Sequence, residues 1–140
     1  MATATPLRRL PLFRRDALSQ PLQHLSKTLS ASQPRRWMSV ISLSDSTAVE
    51  KFRSIHSKSV LYFTASWCPP CKMIAPIYET LSKQYPDVAF GKIDVDNNQD
   101  SATEFQISAV PTFVFSKGKE AVNKFSGADK DQLEKFVKEL

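Results

Sequence analysis

Within twelve residues, Val60-Leu61-Tyr62-Phe63-Thr64-Ala65-Ser66-Trp67-Cys68-Pro69-Pro70-Cys71 contains an apolar run, a turn and two cysteines separated by two prolines. The run Val60 to Thr64 is too apolar for a half-exposed strand, so it is expected to be a central strand buried on both faces. Prolines are tolerated in the first helical turn, where their missing N–H groups would go unpaired anyway, and this spacing predicts a helix from Pro69 to Tyr85, ended by Pro86. Cys68 then falls at or beside the helix N-cap and Cys71 one turn later on the same side. Unpaired backbone N–H groups and the positive helix end stabilise an anion there, which lowers the pKa of Cys68 and provides thiolate at neutral pH. Cys71, in the first turn, is expected to stay mostly protonated. Two Cα atoms at i, i+3 across a helix start lie near the roughly 5 to 6 Å that a disulfide prefers.

This arrangement supports thiol–disulfide exchange: Cys68 attacks a substrate disulfide and Cys71 resolves the mixed disulfide, which makes both the catalytic candidates. A zinc site competes, but it wants four ligands, and the only other soft candidates are His24 and His56. An inert structural pair also competes; the strand-turn-helix placement and the adjacent Trp67 argue against it.

Outward from this centre, short β-rich runs alternate with helical segments, the signature of an α/β sheet. Ser44 or Asp45 can cap a helix running through about Ser57, with Val49, Phe52, Ile55 and His56 expected on its inner face. Val88 to Val95 reads as a strand, Gln99 to Phe105 as a short helix and Thr112 to Ser116 as another strand. Lys117-Gly118-Lys119 reads as a hairpin turn into Ala121 to Phe125. Asp129 is expected to cap a last helix whose apolar stripe is Leu133, Phe136, Val137 and Leu140.

The charge is unevenly spread. Of 19 Lys+Arg and 14 Asp+Glu in 140 residues, residues 1–39 hold seven of the bases and only Asp16 among the acids, so the remainder is close to neutral. A basic nucleic-acid face is therefore not expected. No apolar stretch approaches the roughly 20 residues of a membrane-spanning helix. Two cysteines three apart cannot form the multi-bridge framework of a small secreted domain.

Residues 1–38 are rich in Ser, Thr, Pro and Arg and lack Gly, a composition that cannot pack a core. They read as a cleavable organellar presequence, with Leu22, Leu25 and Leu29 on one stripe of a short helix. Residues 39–140 read as the folded domain. Arginines at positions 8, 9, 14 and 15 interrupt any secretory apolar region. The segment resembles mitochondrial presequences, with Arg35-Arg36-Trp37-Met38-Ser39 resembling a processing site. The opening Met1-Ala2-Thr3-Ala4-Thr5 leaves the plastid as the alternative to the mitochondrial matrix.

From about residue 40 to 140 the chain resembles the thioredoxins. The likeness rests on Phe63-Thr64-Ala65-Ser66-Trp67-Cys68-Pro69-Pro70-Cys71-Lys72, on Pro76, on Lys92-Ile93-Asp94-Val95-Asp96, on Val110-Pro111-Thr112 and on Gly127, in that order. Together with the presequence it is most similar to the o-type mitochondrial thioredoxins of plants. The resemblance implies a central five-stranded mixed β-sheet flanked by four helices, with Cys68 as exposed nucleophile and Cys71 as resolving thiol. It also implies a cis Val110-Pro111 bond facing the cysteines. The backbone of Val110 would then pair with an extended substrate segment, while Trp67, Pro69, Val95, Ala109 and Gly127 form a shallow apolar rim.

It further implies no bound cofactor beyond the redox-active disulfide and no metal. The expected partners are disulfide-containing target proteins and an NADPH-dependent thioredoxin reductase. Neither nucleic acid nor membrane is expected as a partner, and the chain is expected to be a monomer. Two departures stand out: Pro69 replaces the glycine, and Tyr62 the buried aspartate, that most thioredoxins carry. Tyr62 is expected in the core with its hydroxyl bonded, and Lys92 either as a solvated strand-end charge or as a functional neighbour. Pro70 stiffens the loop between the cysteines. An interaction module using the same surface, and a dimer bridging an iron–sulfur cluster, are the competing classes.

Overall fold

The computed structural model describes residues 39–140. The expected presequence, with its leucine stripe and processing site up to Met38, lies outside the described residues. The elements run β1 (Ile41–Ser42), α1 (Ser46–Ile55), β2 (Lys58–Thr64), α2 (Pro69–Gln84), β3 (Ala89–Asp94), α3 (Gln99–Glu104), β4 (Thr112–Lys117), β5 (Glu120–Ser126) and α4 (Lys130–Glu139). The strands form one mixed sheet in the order β1-β3-β2-β4-β5. Both β1 and β2 run parallel to β3, whereas β4 is antiparallel to its neighbours β2 and β5. This is the expected five-stranded sheet with four helices.

Strand β2 has a partner on each side, and all of it but Lys58 is buried. Because successive side chains on a strand point to opposite faces, its apolar run feeds two cores. Val60 and Tyr62 join Ile74, Tyr78, Phe90, Phe113, Phe115, Leu133 and Val137 in a layer built with α2 and α4. Leu61 and Phe63 join Leu43, Val49, Phe52, Ile93 and Val114 in a layer built with α1. The first layer is aromatic: Tyr62 stacks on Phe113 and tilts against Tyr78, each pair with centroids 5.0 Å apart. The Tyr78 hydroxyl lies 2.9 Å from the Val60 carbonyl oxygen and 2.8 Å from that of Gly91, so helix α2 is bonded to the β2–β3 seam. The second layer is tight where β3 passes under α1. A Cβ at Gly91 would sit 2.8 Å from Leu43 Cδ1 and 3.2 Å from Phe52 Cε1, so a close approach requires this glycine.

Asp45 caps α1, accepting from the Ala48 N–H at 2.8 Å. That bond, followed by one from the Ser44 hydroxyl, lowers the carboxyl's pKa. Asp129 caps α4 in the same way through the Gln132 N–H at 3.0 Å. Most element ends fall within one or two residues of expectation.

Helix α1 corrects two expectations. It ends at Ile55, because His56 already adopts an extended backbone leading into β2. Ile55 is 62% exposed and not on the inner face. At about 100° per residue, six positions rotate it roughly 120° away from Val49. His56 is buried as expected, its ring edge-on to Phe52 at 4.7 Å.

Candidate active site

The two cysteines stand where buried β2 gives way to α2. Cys68 is the N-cap of α2, with Pro69 and Pro70 at its first two positions. Those prolines remove two of the N–H groups that an α-helix start leaves unpaired. The next N–H, on Cys71, points to Cys68 Sγ at 3.2 Å, and the N–H of Lys72 reaches the Cys68 carbonyl oxygen at 3.4 Å. The sulfur thus sits at the positive end of a sixteen-residue helix with a backbone donor aimed at it, an arrangement that stabilises a thiolate. Cys68 and Cys71 are joined in a disulfide with their Cα atoms 5.3 Å apart.

Cys68 departs from the expected exposed nucleophile: it is 3% exposed and Cys71 2%. In this oxidised form the bond to Cys71 draws its sulfur against the first turn of α2, and the Val110 carbonyl oxygen closes over it at 3.6 Å. An oxidised sulfur has no proton to donate across that contact; a thiol formed on reduction would have one.

The Val110-Pro111 peptide is cis, as the resemblance implied. Its loop is anchored on both sides. Thr112 Oγ1 donates to the Ala109 carbonyl at 2.6 Å and lies 2.7 Å from the Ser126 hydroxyl. The Gly127 N–H donates to the Pro111 carbonyl at 2.8 Å, from a backbone with φ of 118° that favours glycine.

The expected rim is partly assembled. Trp67, Val95, Ala109 and Val110 line one depression of about 140 Å³, together with Ile107 and Ser108. Pro69 is exposed and, like Gly127, does not line it. Trp67 is 66% exposed, yet it is held: its Nε1–H donates to Asp96 Oδ2 at 3.0 Å. Asp96 in turn donates its backbone N–H to Asp94 Oδ1 at 2.9 Å.

A second cavity, of about 310 Å³, touches Cys71 and is walled by Tyr62, Thr64, Lys72, Lys92 and Asp94, among others. Tyr62 is buried, and its hydroxyl donates to the Cys71 carbonyl oxygen at 2.8 Å. Burial raises its pKa above the ordinary 10.0. Lys92 lies directly across the β2–β3 ladder from Tyr62 and is exposed, so it has the position of a neighbour and the solvation of a strand-end charge.

Ile107, Ser108, Asp94 and Asp96 are site residues that the sequence reading did not single out. Asp94 and Asp96 stood inside a quoted motif, and their spacing of two was the signal available. Among the described residues, no group of three or more His, Cys, Asp and Glu side chains could hold a metal ion.

Comparison with known proteins converges on this geometry. A family model described as thioredoxin matches residues 39–139. Thioredoxin H4 of Arabidopsis thaliana is 49% identical over 92 residues, covering 64% of this chain and 77% of that protein. The thioredoxin of Ophiophagus hannah is 48% identical over 79 residues, covering 56% of this chain and 75% of its own. Among solved structures, oxidised mitochondrial thioredoxin 3 from Saccharomyces cerevisiae superposes with a TM-score of 0.70 at 40% identity. It covers 72% of this chain and 95% of its own.

Proposed function

The chain belongs to the thioredoxin family, and from that premise we propose how its two sulfurs divide the work, what restores them and where they act. The protein is a thiol–disulfide oxidoreductase whose redox couple is Cys68/Cys71. In our reading, Cys68 thiolate attacks one sulfur of a target disulfide and the other leaves as a thiolate. Cys71 then attacks Cys68 Sγ, releasing the second target thiol and closing the disulfide. The observation that carries this assignment is the Cys71 N–H directed at Cys68 Sγ from the start of α2, since it favours negative charge on Cys68 rather than Cys71.

Val110 supplies backbone next to Cys68, and the Trp67–Val110 depression supplies a shallow apolar contact. Together they suit an extended target segment read mainly through its main chain. Thioredoxins act with a reductase, and we assign this chain an NADPH-dependent thioredoxin reductase as its electron source. We place it in the mitochondrial matrix as an o-type protein, with residues 1–38 removed. The support is the arginine-rich, acid-poor segment and the likeness to a mitochondrial yeast thioredoxin.

Reduction of insulin disulfides with NADPH and thioredoxin reductase tests the central reading. Turnover is expected, and its absence with active reductase would refute it. Import of a fluorescent protein fused to residues 1–38 tests the location, and fluorescence in plastids alone would reverse it.

A further inference from the structure

At the mixed-disulfide stage Cys71 is a thiol, and it must lose its proton before its sulfur can attack Cys68. At 2% exposure it cannot hand that proton directly to bulk solvent. Tyr62 brings a hydroxyl to Cys71, but its proton is committed to the Cys71 carbonyl oxygen at 2.8 Å, and its raised pKa leaves no phenolate at neutral pH. The cavity of about 310 Å³ that touches Cys71 has room for a chain of waters. Its titratable walls are Tyr62 from β2, Cys71 and Lys72 from α2, and Lys92 and Asp94 from β3, with Asp96 bonded behind Asp94. The two lysine side chains offer donors and no acceptor. Asp94 is the carboxylate on that wall, half-buried at the end of β3 and held through Oδ1 by the Asp96 N–H at 2.9 Å.

We propose that Asp94 accepts the Cys71 proton through water in this cavity, as the proton-accepting group of the resolving step. The inference rests on the assignment of Cys68 as attacking and Cys71 as resolving sulfur. The Cys71 S–H bond breaks and its proton passes through water to the Asp94 carboxylate. The sulfur's electron pair forms the bond to Cys68 Sγ, the bond from Cys68 to the target breaks, and the target leaves as a thiolate. The dithiol supplies both electrons. Lys72 and Lys92 flank the same space and favour the negative charge that develops on the Cys71 sulfur as its proton leaves.

The test uses the full reduced chain and 5,5′-dithiobis(2-nitrobenzoate) in a stopped flow. The first equivalent of thionitrobenzoate reports attack by Cys68 and scales with reagent concentration; the second reports resolution by Cys71 and does not. Asp94→Asn keeps an oxygen for the Asp96 N–H and removes only the basicity. It is expected to leave the first phase within about twofold and slow the second by about tenfold or more at pH 7, with the loss recovering as hydroxide rises. Asp94→Glu is expected to restore most of the rate. In the parent chain the second phase should keep its rate below the thiol range and lose it only where carboxylates take up their protons.

A second phase unchanged in Asp94→Asn, an Asp94→Glu variant as slow as Asp94→Asn, or a parent acid limb only in the thiol range would each overturn the role of Asp94. The parent profile decides the matter even if neither variant folds. Absence of the first phase in the parent would instead sink the Cys68 assignment, and this inference with it.

Discussion

The two cores on either side of the sheet are built from the same strands and differ in kind. The α2/α4 layer is aromatic, contains both buried tyrosine hydroxyls and carries the disulfide at its edge. The α1 layer is largely aliphatic and so close that β3 needs a glycine beneath Leu43 and Phe52. Chemistry sits against the layer whose polar atoms can be bonded at fixed points, while the other layer serves as a stiff platform. Substitutions on the two sides of the sheet should therefore fail in different ways.

The largest expected effect is at the disulfide. Cys68→Ser should abolish disulfide reduction, whereas Cys71→Ser should still attack and should accumulate mixed disulfides detectable by mass spectrometry. Adducts on Cys68→Ser alone would exchange the two roles.

Next comes Tyr62→Asp in the aromatic layer. It deletes a ring stacked on Phe113 and leaves a carboxyl that Lys92 and Lys72 on the same cavity wall offset only in part, so denaturant unfolding should show a loss of about 3 kcal/mol or more. Parent-like stability would mean the ring contributes no packing. Tyr78→Phe should cost less, about 1–3 kcal/mol, because the two strand carbonyls lose the single hydroxyl proton they share while the ring stays. In the platform layer, Gly91→Ala should cost about 1–2 kcal/mol through the clash with Leu43 and Phe52, with disulfide reduction unchanged once folded. A large activity loss at full stability would show that the two layers are not separable in this way.

The smallest effect concerns pH. Burial lowers the pKa of His56 below 6.5, so as pH falls the unfolded chain takes up the proton first. Its contribution is fully present above pH 6.5 and is lost as pH falls toward the folded-state value, with a slope of at most about 1.4 kcal/mol per pH unit. Urea unfolding between pH 5 and 7 should show a shallower slope for His56→Gln than for the parent. Equal slopes would mean the ring is hydrated in the folded state.

How far the sequence carried can be judged at particular residues. Asp45, Cys68 and Asp129 were legible as caps because capping is local, decided within three or four positions. The cis Val110-Pro111 bond was not legible from local chemistry, since only about 5–6% of X–Pro bonds are cis, and came from the resemblance alone. The burial of Cys68 was missed because the carbonyl that covers it lies 42 residues away, and the bond from Asp96 to Trp67 spans 29. Ile55 failed for a different reason: its spacing was read as a stripe although helical rotation carries it off the face.

One feature of the helix starts separates α2 from the others. In α1, α3 and α4 the cap is an oxygen of Asp45, Asn98 or Asp129. In α2 it is the sulfur of Cys68, behind two prolines that leave Cys71 the first N–H able to reach it. The three oxygens keep their character through the catalytic cycle. The sulfur does not: in the disulfide it is a weak, neutral acceptor, and as a thiolate it is a full charge at a positive helix end. Each pair of electrons that enters the protein therefore tightens the first turn of α2, the longest helix among the described residues, and each that leaves loosens it, so this helix end works as a gauge of how much reducing power the molecule holds.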